Sequence, residues 1–209
     1  MEFFKCSIAG VKYGAGMTEV QRAMTARKSG RTLADVMSSE PPRRPPRERG
    51  MNFEDARVMD GGWRRQPSAG VIEEFFRALA LCHTVVPEGG QEFSNIKYQA
   101  ASPDDVALCL AAKHAGWFFQ RRTTASLTLQ VAASVMSAGG GRGEETYQLL
   151  ATLEFNSTRK RMSVIVREPW SGNIKLYCKG ADNVILQRLG KNARATARGA
   201  EMMWRSDYE

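Results

Sequence analysis

LYCKGADNVI, residues 176–185, and LEFNSTRKRMSVIVR, residues 153–167, decide how this chain is read. The first is a strand that ends on Lys179 and stops at the tight Gly180-Ala181 turn. The second is a strand preceded by a Phe155-Asn156-Ser157 corner. Met162, Val164 and Val166 share one face, as do Ile174, Leu176 and Cys178, and the intervening PWSGN, residues 169–173, carries the glycine expected of a hairpin loop. The two strands therefore pair antiparallel and bring corner and lysine together. An aromatic face can stack on adenine, a hydroxyl can fix a base edge and a lysine can neutralise phosphate. Phe155, Ser157 and Lys179 thus predict a nucleotide pocket. From spacing alone, plainer roles stay open: a sheet-edge aromatic, a turn former and a solvated strand end.

Working outward, YQLLATLEF reads as a further strand, and Trp117, Phe118 and Phe119 lead into a strand that RRTTASLTLQV continues with period-two alternation of Leu127, Leu129 and Val131. Residues 71–84, VIEEFFRALALCHT, put Ile72, Phe75, Phe76 and Leu79 on one helical stripe, with Glu73, Glu74 and Arg77 opposite. A second helix, 102–116, has Ser102 to cap it, Pro103 at its first position, Asp105 where a capping-box acid reaches back, and Gly116 to end it. The fold class is α+β: an antiparallel twisted sheet with helices covering one side.

Residues 3–16 read as a short hairpin and 18–28 as a helix capped by Thr18. From Ser29 to Gly50 order is expected to fail. PPRRPPR at 41–47 holds four of the eight prolines and reads as an extended spacer or a proline-rich ligand for a partner domain. GGGRG at 139–143 is a flexible loop without the Gly-Lys-Ser/Thr ending of a phosphate-cradling loop. The organisation is thus 1–28 hairpin and helix, 29–50 linker, 51–189 main domain and 190–209 basic tail.

The net charge of +8 invites a nucleic-acid reading. The excess is uneven, however. Residues 22–65 hold 11 Lys/Arg against 6 Asp/Glu and the tail from 186 holds 5 against 3, whereas 66–185 holds 12 against 11. The main body is close to neutral, which argues against a nucleic-acid partner. Cys6, Cys82, Cys109 and Cys178 are far apart, with only His83 and His114 as further ligands, so neither a zinc site nor a disulfide framework is implied. No run approaches the roughly 20 apolar residues of a membrane span, and the start MEFFKCSIAG is not a secretory leader, so the sequence reads as a soluble chain.

The ordered set FFRALALCHTVVPE, YQAASPDDVALCLAAKHAGWFFQRRT, LEFNSTRKRMSVIVR and LYCKGADNVI resembles the nucleotide-binding domain of the type IV P-type ATPases, the phospholipid flippases. The opening MEFFKCSIAGVKYGAGMTEVQRAM is similar to the plant aminophospholipid ATPases in particular. The resemblance covers residues 1 to about 188 and is weakest through the linker. It implies a pump that uses ATP with magnesium to move phospholipid, integral to a membrane, aided by an accessory subunit, with this domain on the cytoplasmic side. Carried over by position, Phe155 would stack on adenine, Ser157 would bond near it, and Lys179 would line the pocket and meet the phosphates. The family's SPDE acid falls on Asp105, where this chain has the shorter carboxylate. Arg159, Lys160 and Arg161 read as solvated strand-edge charges outside the site.

The family's phosphorylated Asp-Lys-Thr-Gly-Thr motif and the arginine of its Gly-Leu-Arg-Thr-Leu segment do not occur in this sequence. By itself the chain is therefore expected to bind ATP without forming a phosphoenzyme or moving lipid. The alternative reading is a non-catalytic interaction or scaffold protein derived from that domain.

Overall fold

A computed structural model of the chain describes residues 1–39, 48–89, 96–132, 135 and 143–190. The proline run 41–47, most of the GGGRG loop and nearly all of the basic tail lie outside them. The expected N-terminal hairpin is present as β1 (Cys6–Ile8) and β2 (Val11–Tyr13), joined by Ala9 and Gly10 at φ 51° and 78°. Positive φ at both central residues matches the right-handed twist of a two-residue hairpin. Helix α1 (Glu19–Ser29) begins with a Thr18/Gln21 capping box and ends on Gly30 in the left-handed region.

Order does not fail at Ser29. Residues Leu33–Ser38 form α2, closed by a second capping box between Thr32 and Asp35 and anchored by Val36, which is 1% exposed. Both helices are short and polar. Reciprocal side-chain bonds at their starts satisfy backbone groups that composition alone leaves unpaired. At residues 48–50 the chain is tied to the body: Glu48 pairs with Lys113 at 2.9 Å, and the Phe3 amide donates to Gly50 O at 3.0 Å.

A 3-10 helix (Met59–Arg65) carries Trp63 onto Trp117, ring centroids 5.5 Å apart. Next comes α3 (Ala69–Leu81), whose buried stripe runs through Ile72, Phe76, Leu79 and Ala80. Phe76 stacks nearly parallel to Trp117 at 6.1 Å. One assignment in this helix is reversed: Arg77, expected on the polar face, is 5% exposed. Its charge is carried inside by Glu73 at 2.9 Å and Glu145 at 3.0 Å, because a buried guanidinium is tolerated only when paired.

A hairpin absent from the sequence reading follows, β3 (Val86–Glu88) with β4 (Lys97–Gln99). Helix α4 (Pro103–Ala115) ends at Gly116, φ 109°, where a Cβ would sit 2.2 Å from the Val135 side chain. Glycine is required there on both counts.

The main sheet is an antiparallel meander: β5 (Trp117–Arg122), β6 (Ser126–Val131), β7 (Glu144–Leu153), β8 (Arg161–Arg167) and β9 (Ile174–Gly180), in that spatial order, followed by the short α5 (Asp182–Leu186). The segment read as one continuing run after Trp117 is two strands, turned by Thr123, whose amide donates to Ser126 O at 2.9 Å. The core lies on the face toward α3 and α4, where Phe119, Leu127, Leu129, Tyr147, Val164 and Val166 are buried. Strand β9 turns Lys175, Tyr177 and Lys179 to that inner face, opposite Val166, Val164 and Met162. Its shared apolar face is the outer one: Ile174 and Leu176 are each 60% exposed.

Candidate functional site

The corner between β7 and β8 is built by Asn156. Its carbonyl accepts the Lys160 amide at 2.8 Å and its side-chain oxygen accepts the Arg159 amide at 2.7 Å, a side-chain-to-backbone bond three residues on that closes the turn. Lys160 takes the left-handed conformation, φ 50°, that lets the chain reverse into β8. Phe155 and Ser157 flank Asn156, and Phe155 is 63% exposed, an unusual position for so large an apolar ring. The sequence places Asn156 in the corner but assigns it no role, although asparagine ahead of a polar turn is the signal that gives it one.

The register fixes where this corner lies. Leu153 faces Ser163 and Ser163 faces Cys178, so the corner beyond Leu153 and the last residues of β9 stand at one end of the sheet. Gly180 is part of that geometry. A Cβ there would come within 2.5 Å of Lys160 O and 2.6 Å of Arg161 Cβ, so the KGAD turn lies directly against the corner's backbone. The Ala181 amide donates to Lys160 O at 3.0 Å and closes the junction.

Asp105 enters from α4. Its Oδ1 receives Lys179 Nζ at 2.6 Å and its Oδ2 accepts the Thr84 amide at 3.2 Å. The expected capping box is not formed, and Ser102 makes no side-chain capping bond. A charge-assisted contact to lysine, with a backbone donor on the other oxygen, takes the carboxylate away from the helix start. The structure thus joins Asp105 to Lys179 directly and sets Phe155 and Ser157 at the same sheet end in an exposed turn. Arg159 and Arg161 donate to the backbone carbonyls of Glu154 and Arg159, both at 3.1 Å.

Beneath the pair lies a buried layer. Cys82 Sγ sits against the carbonyls of Met162 and Tyr177, and burial pushes its thiol up to about 11. His83 is fully enclosed. Its Nε2 lies 2.8 Å from Ala80 O and its Nδ1 accepts the Val85 amide at 3.2 Å, so it is the neutral Nε2–H tautomer. Burial, reinforced by the charges of Arg122 and Lys179, pushes the imidazole down to about 3. These groups support the end of α3 and lie under the buried Asp105 and the half-buried Lys179.

Residues 71–203 match the family model for the P-type ATPase cytoplasmic domain N. The chain belongs to that family. As an N domain it has the fold read from its strand and helix pattern. It is similar to plant proteins of Arabidopsis thaliana: 49% identical over 198 residues to phospholipid-transporting ATPase 10, 46% over 195 residues to probable phospholipid-transporting ATPase 11, and 43% over 202 residues to probable phospholipid-transporting ATPase 12. Each alignment takes in 93% of this chain and 16% of the relative, so the N domain spans about one sixth of the length of the proteins it matches. Among the described residues, no helix is long and apolar enough to cross a membrane.

Proposed function

We propose that this N domain binds ATP at the end of the sheet where Asp105 and Lys179 meet, and that it serves a P-type pump that moves phospholipid. The observation that carries the reading is the 2.6 Å contact between Lys179 Nζ and Asp105 Oδ1 at the sheet end that also presents the exposed Phe155. Phe155 offers a ring face for adenine and Ser157 a hydroxyl for its edge.

The ion pair gives the site a resting state. A nucleotide offers phosphate oxygens with more negative charge than one carboxylate, and the half-buried Lys179 keeps part of its side chain at the surface, where the ammonium can exchange partners. When Lys179 turns to the phosphates, Asp105 Oδ1 is left free to accept the adenine amino group while the Thr84 amide holds Oδ2 in place. Binding is thus a swap of hydrogen-bond partners on groups already positioned. Magnesium enters the reading as the companion of the phosphates, together with the phosphorylation domain of the whole pump. Phospholipid and an accessory subunit belong to that larger assembly.

Calorimetric titration of the folded chain with ATP and with adenosine tests the reading. Both bind, and ATP binds more tightly by the Lys179 contribution. Absence of heat up to about 1 mM ATP, from protein with intact circular dichroism, overturns it.

A further inference from the structure

At the opposite end of the sheet, a cleft of about 860 Å³ opens between α3, the start of β7 and the loop joining β8 to β9. Its wall carries Glu73, Glu74, Glu144, Glu145 and Glu168 against two cations, Arg77 and Lys175, a local balance of −3 in a chain whose net charge is +8. Those cations are shared. Arg77 serves Glu73, Glu74 and Glu145, while Lys175 spans Glu74 at 2.8 Å and Glu168 at 2.6 Å. Glu144 lies exposed, in contact only with the Thr146 hydroxyl at 3.4 Å among the bonds described.

The cleft also holds an aromatic. Trp170 is 51% exposed and is propped edge-on against Tyr147, ring centroids 5.6 Å apart at 81°. The Arg77 guanidinium carbon lies 5.0 Å from the Trp170 ring centroid. The wall therefore already holds one guanidinium by the combination of an indole face and carboxylates, and it has carboxylate charge left over. An ammonium can meet the ring and the carboxylates only as a point charge, whereas a planar guanidinium stacks flat on the indole while its forked donors span the carboxylates.

We infer that this cleft is a docking site for an arginine-bearing, extended basic peptide segment of a partner protein, with a guanidinium seated between Trp170 and the Glu144 side of the wall. The two ends of the sheet then have separate tasks, and occupation of the cleft does not compete with nucleotide at Asp105 and Lys179.

The test is fluorescence-anisotropy titration of the full chain with a labelled octapeptide alternating arginine and glycine, alongside its lysine counterpart. The variants are Trp170→Ala and Glu144→Gln, whose side chains are exposed and can be replaced without opening the core. The arginine peptide binds saturably and more tightly than the lysine peptide. Each substitution weakens it by about threefold or more, and ATP affinity is unchanged. No saturation up to about 1 mM peptide overturns the inference. So does equal binding of the two peptides, or binding that both variants leave unmoved while circular dichroism shows them folded.

Discussion

Lys179, next to last in β9, and Asp105, in the first turn of α4, meet at 2.6 Å across 74 residues of chain. If the contact is the resting state of a nucleotide site, charge and hydrogen-bonding capacity at residue 105 have separable effects. Asp105→Ala removes the acceptor from both Lys179 and the Thr84 amide and costs about 1–3 kcal/mol of stability. It also weakens ATP by losing the adenine contact. Asp105→Asn keeps one oxygen for the Thr84 amide, turns its NH2 toward the adenine amino group, and releases Lys179 to the phosphates. It therefore melts later than the alanine variant, and it loses more affinity for adenosine than for ATP. Melting curves and calorimetry with both ligands decide the matter. Equal losses for the two ligands would sink the partner swap.

Phe155 makes the complementary prediction. Because the ring is 63% exposed, Phe155→Ala changes stability by no more than about 0.5 kcal/mol. A lost stacking contact of about 0.5–1.5 kcal/mol lowers nucleotide affinity by roughly 2- to 12-fold, equally for ATP and adenosine. Lys179→Met, in contrast, affects ATP far more than adenosine. The discriminating quantity is the ratio of the two ligands in each variant, and identical ratios in both would remove the distinction between a base contact and a phosphate contact.

The residues that made the fold legible are those whose local pattern has one solution. Pro103 and Gly116 bracket α4, and the alternation around Val164 and Val166 with the Gly172 turn gives the β8–β9 hairpin. Strand β3 was hidden because a proline inside a three-residue run argues against a strand, and α2 because a six-residue polar helix beside a proline run owes its order to Thr32, Asp35 and the single buried anchor Val36. Arg77 was placed on the wrong face because periodicity counts a charge as polar, whereas its partner Glu145 lies 68 residues away. In the candidate site, residue type and strand pairing put Phe155 and Lys179 forward as expectations. The contacts of Asp105 with Thr84 and Lys179 were not legible, because no helix-capping rule contains those partners.

The alternation along β9 separates two neighbours chemically. Lys179 faces inward toward Asp105, whereas Cys178 lies on the outer face and is exposed. The other three thiols are buried. Burial pushes Cys6 up to about 12 and Cys82 to about 11, and drives Cys109 well above its ordinary value. A thiol reagent at neutral pH should therefore modify one cysteine in the folded chain and four in denaturant, because reactivity follows exposed thiolate. A nucleotide held by Lys179 and Asp105 on the inner face would leave the rate at Cys178 unchanged under saturating ATP. Mass mapping of the modified peptide, with and without ATP, checks both statements; protection by ATP would place the nucleotide on the wrong side of the sheet.

His83 sets the response of the fold to acid. The folded imidazole lies near 3 because it is buried without a charge partner, and in the unfolded chain it returns to about 6.5. Below 6.5 the unfolded chain therefore binds a proton that the folded chain refuses. The stability present at neutral pH falls as the solution is acidified, with a slope that approaches about 1.4 kcal/mol per pH unit. Asp55 and Glu168 also sit below their ordinary values: burial raises them, but hydrogen bonds from Arg57 and Gly14, and from Lys175 and Ser171, outweigh it. Their contribution is lost in the same direction, but only at pH values where free carboxylates begin to protonate, so of these three groups only His83 acts over the interval from about 6.5 to 4.5. His83→Gln cannot take up that proton in either state. It is less stable at neutral pH, having lost ring packing against Phe119, and its denaturation midpoint is nearly flat across the interval. Urea titrations of both proteins at pH 7, 6, 5.5 and 5 measure the difference; parallel slopes would mean that His83 does not govern the acid limb.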